Sequence, residues 1–320
     1  MNQTSWSTIN PDRELLLFGV VYSVTSSIVF PVYALIIHAL HSRNDLRENV
    51  TYRLLNILNY CDVSQAFCHF LTGFCARFKY IIQIVGCTVN TLWIFTFIII
   101  AILSSTRIGI VVFKTNSTKW STWTKVAFAA GSLYVFLVWA IGCATQNFEL
   151  TGPNWSYDLS VQYAALFADL ELIVCCPVIA FNFASYVLIC YSISKKRRIT
   201  QTSSSMRTEI GILIQAAILT AYMAILITLW HNAEILFEVT NVTMASINVM
   251  WILFSYLNSI LLITTNRLAC FNIFFASYIC FCSGVRRQIL KLFFSENRPE
   301  HTSRIVRLTH VSSTPALEKL

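Results

Sequence analysis

Apolar residues in this chain gather into long runs, and the short breaks between them carry most of the charge. A bilayer-spanning helix needs roughly 20 mostly apolar residues. Seven runs meet that length, at about 15–40, 54–74, 82–106, 126–145, 161–192, 210–237 and 246–266. In lipid only helices and closed barrels satisfy their own backbone. These runs are too long and too continuously apolar for barrel strands, so they predict helices. The fifth and sixth are long enough to project beyond the hydrocarbon. After the seventh, the stretch 268–282 is again apolar but short for a further span. Beyond Gly284, Val285, Ile289, Leu292 and Phe293 share one helical face, with Arg287, Gln288 and Lys291 opposite. That pattern predicts an amphipathic helix lying on the membrane. The expected architecture is therefore an all-α integral membrane protein, a seven-transmembrane helix bundle, with an amphipathic helix after the seventh span. Residues 1–14 form an extracellular N-terminus, 15–266 the bundle, 267–294 the membrane-associated amphipathic segment and 295–320 a cytoplasmic tail. No internal repeat divides the chain, and the polar start predicts no cleaved signal peptide.

Charge fixes the expected orientation. Of 23 Lys and Arg residues, twenty fall in the first, third and fifth breaks and the tail. The other side keeps Arg13, Arg77 and Lys79. Cytoplasmic loops are enriched in Lys and Arg, so the N-terminus is expected outside and the tail inside, at the plasma membrane. Composition agrees: hydrophobic residues are 56%, charged residues 12%, and mean hydropathy is +0.62. A soluble domain carries about twice that share of charge. The net charge of +8 is accounted for by these loops, so nucleic-acid binding is not expected. The eleven cysteines show no metal-ligand spacing, and neither metal nor cofactor is expected. Asn2, Asn154 and Asn241 begin N-x-S/T triplets on the outer side and are candidate glycosylation sites.

Ionisable groups inside a membrane are costly and tend to mark function. Asp62, midway along the second run, is placed to pair with a bundle-facing Asn, to hold an ion, to act as a hinge, or simply to hydrogen-bond neighbouring helices. Asp169 and Glu171 lie two residues apart, so at most one faces the bundle centre. Asp169, about two turns from Pro177, sits at the depth of an outward-opening pocket, or else at a wet helix end. Trp230, His231 and Glu234 occupy the outer end of the sixth run. Trp230 and Glu234 are spaced i and i+4, and on one helix they would share a face. An aromatic ring beside a carboxylate could bind a cationic or polar ligand; an interfacial aromatic belt is the competing explanation. Arg107 closes the third run as Ser104-Ser105-Thr106-Arg107, where it can act as a switch with Glu209 as its resting partner, or snorkel at a helix end. The fifth break contains Lys195, Lys196, Arg197 and Arg198, which suit anionic lipid or an acidic partner, and Ser203–Ser205 beside them could be phosphorylated.

Four segments resemble the nematode serpentine chemoreceptors, most closely class T, then class X. They are Tyr52-Arg53-Leu54-Leu55 followed by Asp62; Ser104-Ser105-Thr106-Arg107; Glu209 with Gln215-Ala216; and Trp251-Ile252-Leu253-Phe254-Ser255-Tyr256-Leu257-Asn258 followed by Asn266-Arg267. The chain departs from rhodopsin-like patterns. Thr106-Arg107-Ile108 stands for Asp-Arg-Tyr, Asn258-Ser259-Ile260-Leu261-Leu262 lacks Pro and Tyr, and the second outer loop, 146–160, has no Cys to bridge to Cys87. The resemblance implies a G-protein-coupled chemosensory receptor in sensory cilia, detecting a small environmental or pheromonal molecule and activating a heterotrimeric G protein. Asp62, Arg107, Glu209, Asn258 and the basic cluster would then serve switching and coupling.

A seven-helix ligand-gated channel and a small-molecule transporter are the alternatives. The insect channels of this size place the N-terminus inside, against the charge count. Transporters show repeats and broken helices, and only Pro31 and Pro177 fall within runs. Catalysis would need clustered titratable groups. Asp62 and His69 are two turns apart on one face, too far for direct contact, so no enzymatic activity is expected. No Lys lies in the seventh run to carry retinal.

Overall fold

The computed structural model describes residues 13–42, 47–75, 78–116, 118–197 and 204–265. Within them lie α1 (Arg13–Ser42), α2 (Val50–Cys75), α3 (Lys79–Val111) and α4 (Thr122–Thr145). A hairpin of β1 (Phe148–Thr151) and β2 (Asn154–Tyr157) follows. Then come α5 (Ala164–Arg197), α6 (Ser204–His231), the single turn α7 (Ala233–Leu236) and α8 (Asn241–Thr265). The chain is an all-α membrane bundle, and among the described residues six helices are both long and apolar enough to cross a membrane. Residues 267–320, with the expected amphipathic helix and tail, lie outside the described residues, as do Asn2 and Arg198.

The long helix missing from those six is α2. It spans 26 residues, which at about 1.5 Å per residue exceeds a bilayer core. It is less apolar because it sits inside the bundle, against α1, α3 and α8. Thr51, Asn59, Asp62, Gln65, His69 and Thr72 are all buried there. Such residues are tolerable within a membrane only where they face protein partners. α1 and α2 approach closely at Gly19 and Gly73, where a Cβ on Gly73 would overlap Ser23 Oγ and the Gly19 carbonyl. Small residues at that crossing let the two backbones meet.

α3 is the most enclosed helix, packed on α2, α4, α5 and the hairpin. α4 lies at the periphery and leaves Trp123, Leu133, Phe136 and Leu137 exposed, as a lipid-facing helix must. Its start is set by Ser121, whose hydroxyl accepts the Thr124 amide at 3.0 Å. The remainder closes as α5–α6–α8–α1.

The sixth helix starts and ends about six residues earlier than its sequence predicts. Helix α6 stops at His231 instead of continuing to 237. Asn232 leaves helical geometry, and its amide donates to the Thr228 carbonyl at 2.9 Å. That is the local competition with the backbone that Asn side chains offer. After the single turn α7, α8 begins at Asn241, earlier than expected, where Thr240 Oγ1 caps the Thr243 amide.

The hairpin occupies the stretch that the sequence predicts as the second outer loop. Gly152, with φ +61°, occupies the first position of its two-residue turn, as tight hairpins favour. Phe148, Leu150, Trp155 and Tyr157 alternate onto one face, and that face seats on the bundle. Phe148 and Trp155 stack at 6.0 Å against Gly86 of α3, where a Cβ would meet Trp155 at 2.5 Å. The Tyr22 hydroxyl of α1 donates to the Pro153 carbonyl at 2.6 Å, tying the turn down.

Candidate functional site

Beneath the hairpin, α3, α5, α6 and α8 enclose a cavity of ≈ 10 Å³. Asn90, Trp93, Glu171, Leu226, Ile227, Trp230 and Trp251 line it. Three indoles interlock around Trp251: Trp230 meets it edge-on at 5.0 Å and Trp93 at 5.5 Å. His69 of α2 also packs edge-on against Trp251, at 5.2 Å. Trp93 in turn meets Phe97 and Phe254.

Glu171 is the one ionisable group in the cavity wall, and it is 4% exposed. Its Oε2 accepts from the Tyr157 hydroxyl at 2.8 Å, and Trp93 also donates to the carboxylate. Asn90 donates to the Tyr157 oxygen at 2.7 Å. Tyr157 belongs to the hairpin, so Glu171 fastens the roof to α5 while Asn90 fastens it to α3. Burial first, and then the Glu171 charge, hold the Tyr157 phenol well above its ordinary pKa, so it remains a donor. On the exposed side of the roof, Ser160 hydrogen bonds hold Asp158 below its usual range.

The expected ligand residues divide. Trp230 lines the cavity, half-buried. Asp169 is exposed, and its neighbour Glu171 faces inward instead. Two residues turn a helix by about 200°, so only one of the pair can point to the centre. The hairpin and α3 supply donors on the Glu171 side. Glu234 lies on α7, beyond the break at Asn232, and is exposed; the expected shared face with Trp230 does not form. His231 is half-buried but does not line the cavity. Asn154 is buried in β2, which does not suit a glycan, whereas Asn241 is exposed and donates to Glu14 at 2.9 Å.

Below the cavity the core is polar. The Trp251 indole donates to Gln65 Oε1 at 3.0 Å, and Gln65 donates to Thr96 at 3.2 Å. About two turns further along α8, Asn258 Nδ2 donates to Asp62 Oδ2 at 2.6 Å and to Asn59 Oδ1 at 3.3 Å. Gln215 of α6 donates to Asn258 Oδ1 at 3.2 Å. The Tyr33 hydroxyl sits 2.7 Å from Asp62 Oδ2 and 2.6 Å from the Ser255 carbonyl, sharing one proton between them. Of the readings open for Asp62, two describe its contacts together: it pairs with the bundle-facing Asn258, and it hydrogen-bonds the neighbouring helices α1 and α8. Asp62 and His69 do not meet: Asp62 accepts from Asn258 and Tyr33, whereas His69 packs edge-on against Trp251 and neither of its ring nitrogens has a hydrogen-bond partner among the described residues.

At the end of α3 away from the hairpin, Arg107 is buried and lines a cavity of ≈ 20 Å³ with Ser104, Tyr186, Ile212 and Ala216 among its walls. The Tyr186 hydroxyl bridges Ser104 at 3.3 Å and Thr220 at 3.0 Å, joining α3, α5 and α6. Lys195 is exposed near the end of α5. The side chains of Lys196, Arg197 and Glu209, and with them the expected Arg107–Glu209 pairing, lie outside the described residues. Cys87 has a hydrogen-bonding neighbour in Cys143 of α4, a contact that the loop sequence did not disclose. Among the described residues no cluster of His, Cys, Asp and Glu could hold a metal ion. The sequence matches no protein-family model and no curated protein.

Proposed function

We propose that this protein is a G-protein-coupled chemosensory receptor in which the cavity at Glu171 takes the ligand and the Arg107 end engages a heterotrimeric G protein. One observation carries the reading. Two buried sets of contacts, one from Glu171 through the indoles to Gln65 and one from Asp62 and Asn258 to Gln215 of α6, are joined along α2, where Gln65 and Asp62 stand one turn apart. α6 then forms part of the Arg107 cavity. Coupling between distant sites is carried by packed and hydrogen-bonded networks with two discrete arrangements. A ligand that binds one arrangement better shifts the population toward it. The distribution of Lys and Arg supports the orientation this needs, with Glu171 toward the outside and Arg107 toward the cytoplasm. The four segments that resemble nematode serpentine chemoreceptors support a small environmental or pheromonal ligand and a place in sensory cilia.

The test is nucleotide exchange on a co-expressed G protein, with wild type and Arg107→Ala compared at equal surface expression. Loss of ligand-evoked exchange in the variant is expected. Full exchange by Arg107→Ala would contradict the coupling role.

A further inference from the structure

We infer that the ligand taken at Glu171 is a small primary amine, bound through its ammonium group. The inference rests on the reading of this cavity as the receptor's ligand site and names the chemistry it selects. Among the seven residues that line the cavity, Glu171 is the one with an ionisable side chain, and none is Lys, Arg or His. A carboxylate so placed lacks the opposite charge that buried carboxylates ordinarily require. It has about four lone-pair positions. Tyr157 and Trp93 supply two donors, which leaves room for an N–H of a ligand.

The walls favour the same chemistry. Trp93, Trp230 and Trp251 meet around the space, and an ammonium near the face of an indole is attracted by the ring quadrupole. Size then selects among cations. A cavity of ≈ 10 Å³ holds about one water, and an –NH3⁺ group is of that order while a trimethylammonium is far larger. Leu226 and Ile227 complete the lining with aliphatic surface suited to the carbon adjoining the amine. Trp93 and Trp251 are buried, while Trp230 is half-buried and stands at the last turn of α6, next to the break at Asn232. The rest of the ligand is therefore expected to leave beside Trp230.

Full-length receptor in lipid nanodiscs should be unfolded thermally against increasing butylamine and phenethylamine. Phenethyl alcohol, phenylacetate and butyltrimethylammonium are the controls. A ligand that binds only the folded state raises the midpoint in a saturable way. Both primary amines are expected to do so, with half-saturation about 10- to 100-fold below that of the alcohol, the size of one charge-assisted hydrogen bond. Glu171→Gln should remove the difference between amine and alcohol, and Trp230→Ala should weaken both amines. If Glu171→Gln does not fold, the wild-type comparison and Trp230→Ala decide alone. Equal effects of amine and alcohol, a stronger effect of the quaternary ion, or no shift with either amine would overturn the inference. Nucleotide exchange separates this from the receptor reading. Amine binding that never evokes exchange preserves the ligand class and counts against the receptor; exchange evoked by a neutral or anionic compound, with no amine effect, does the reverse.

Discussion

Replacing Asp62 by Ala removes the acceptor on which the centre of the bundle converges. Two donors reach the same oxygen, Asn258 Nδ2 at 2.6 Å and the Tyr33 hydroxyl at 2.7 Å. Side-chain hydrogen bonds inside membranes average about 0.6 kcal/mol and reach about 1.7, so two of them sum to about 1–3 kcal/mol. Both donors have a second acceptor, Asn59 for Asn258 and the Ser255 carbonyl for Tyr33, which lowers the expected loss to about 1–2 kcal/mol. Asp62→Asn keeps the volume and one acceptor, and should cost less than half as much. Unfolding by SDS titration in mixed micelles measures both variants against wild type. Asp62→Ala should unfold at a clearly lower detergent fraction, with Asp62→Asn between it and wild type. An alanine variant as stable as wild type, or an asparagine variant as damaged as the alanine one, would refute the convergence of these bonds on the carboxylate.

Other perturbations probe the remaining parts. Gly73→Ala puts a methyl into the contact with Gly19 and Ser23; overpacking of this kind costs about 1–3 kcal/mol, read as earlier unfolding in the same titration. Tyr157→Phe removes the group that Glu171 and Asn90 share and should raise hydrogen exchange of hairpin amides 148–157, whereas unchanged protection would mean the roof is held by packing alone. Asp169→Asn should leave ligand dose–response curves close to wild type because that side chain faces outward, and a large loss of potency would return Asp169 to the site.

The helices were legible because membrane solvent imposes a simple rule of length and apolarity. Even α2, whose inward face is polar, could be read through Leu54, Leu55, Leu58 and its aromatic residues. Asp62 and Asn258 were both singled out in the sequence, and the structure adds their pairing, which spans 196 positions and has no local signature. Glu171 was the harder case. α5 is apolar on nearly every side, so nothing in its own pattern tells which of Asp169 and Glu171 points inward; that is decided by Tyr157 and Trp93 from elsewhere in the chain. The expected Trp230–Glu234 face failed for a local reason, since Asn232 ends the helix between them. A signal for the hairpin was present in the alternation Phe148-Glu149-Leu150-Thr151 and Trp155-Ser156-Tyr157 around Gly152-Pro153, at a length too short to stand out beside the spans.

Orientation of the two ends is the claim on which coupling through Arg107 depends. Epitope tags at each terminus, probed by antibody in intact and in permeabilised cells, measure it directly. The account predicts that the N-terminal tag is reached in intact cells and the C-terminal tag only after permeabilisation. A hidden N-terminal tag with an exposed C-terminal one would place Arg107 outside the cell and contradict the account.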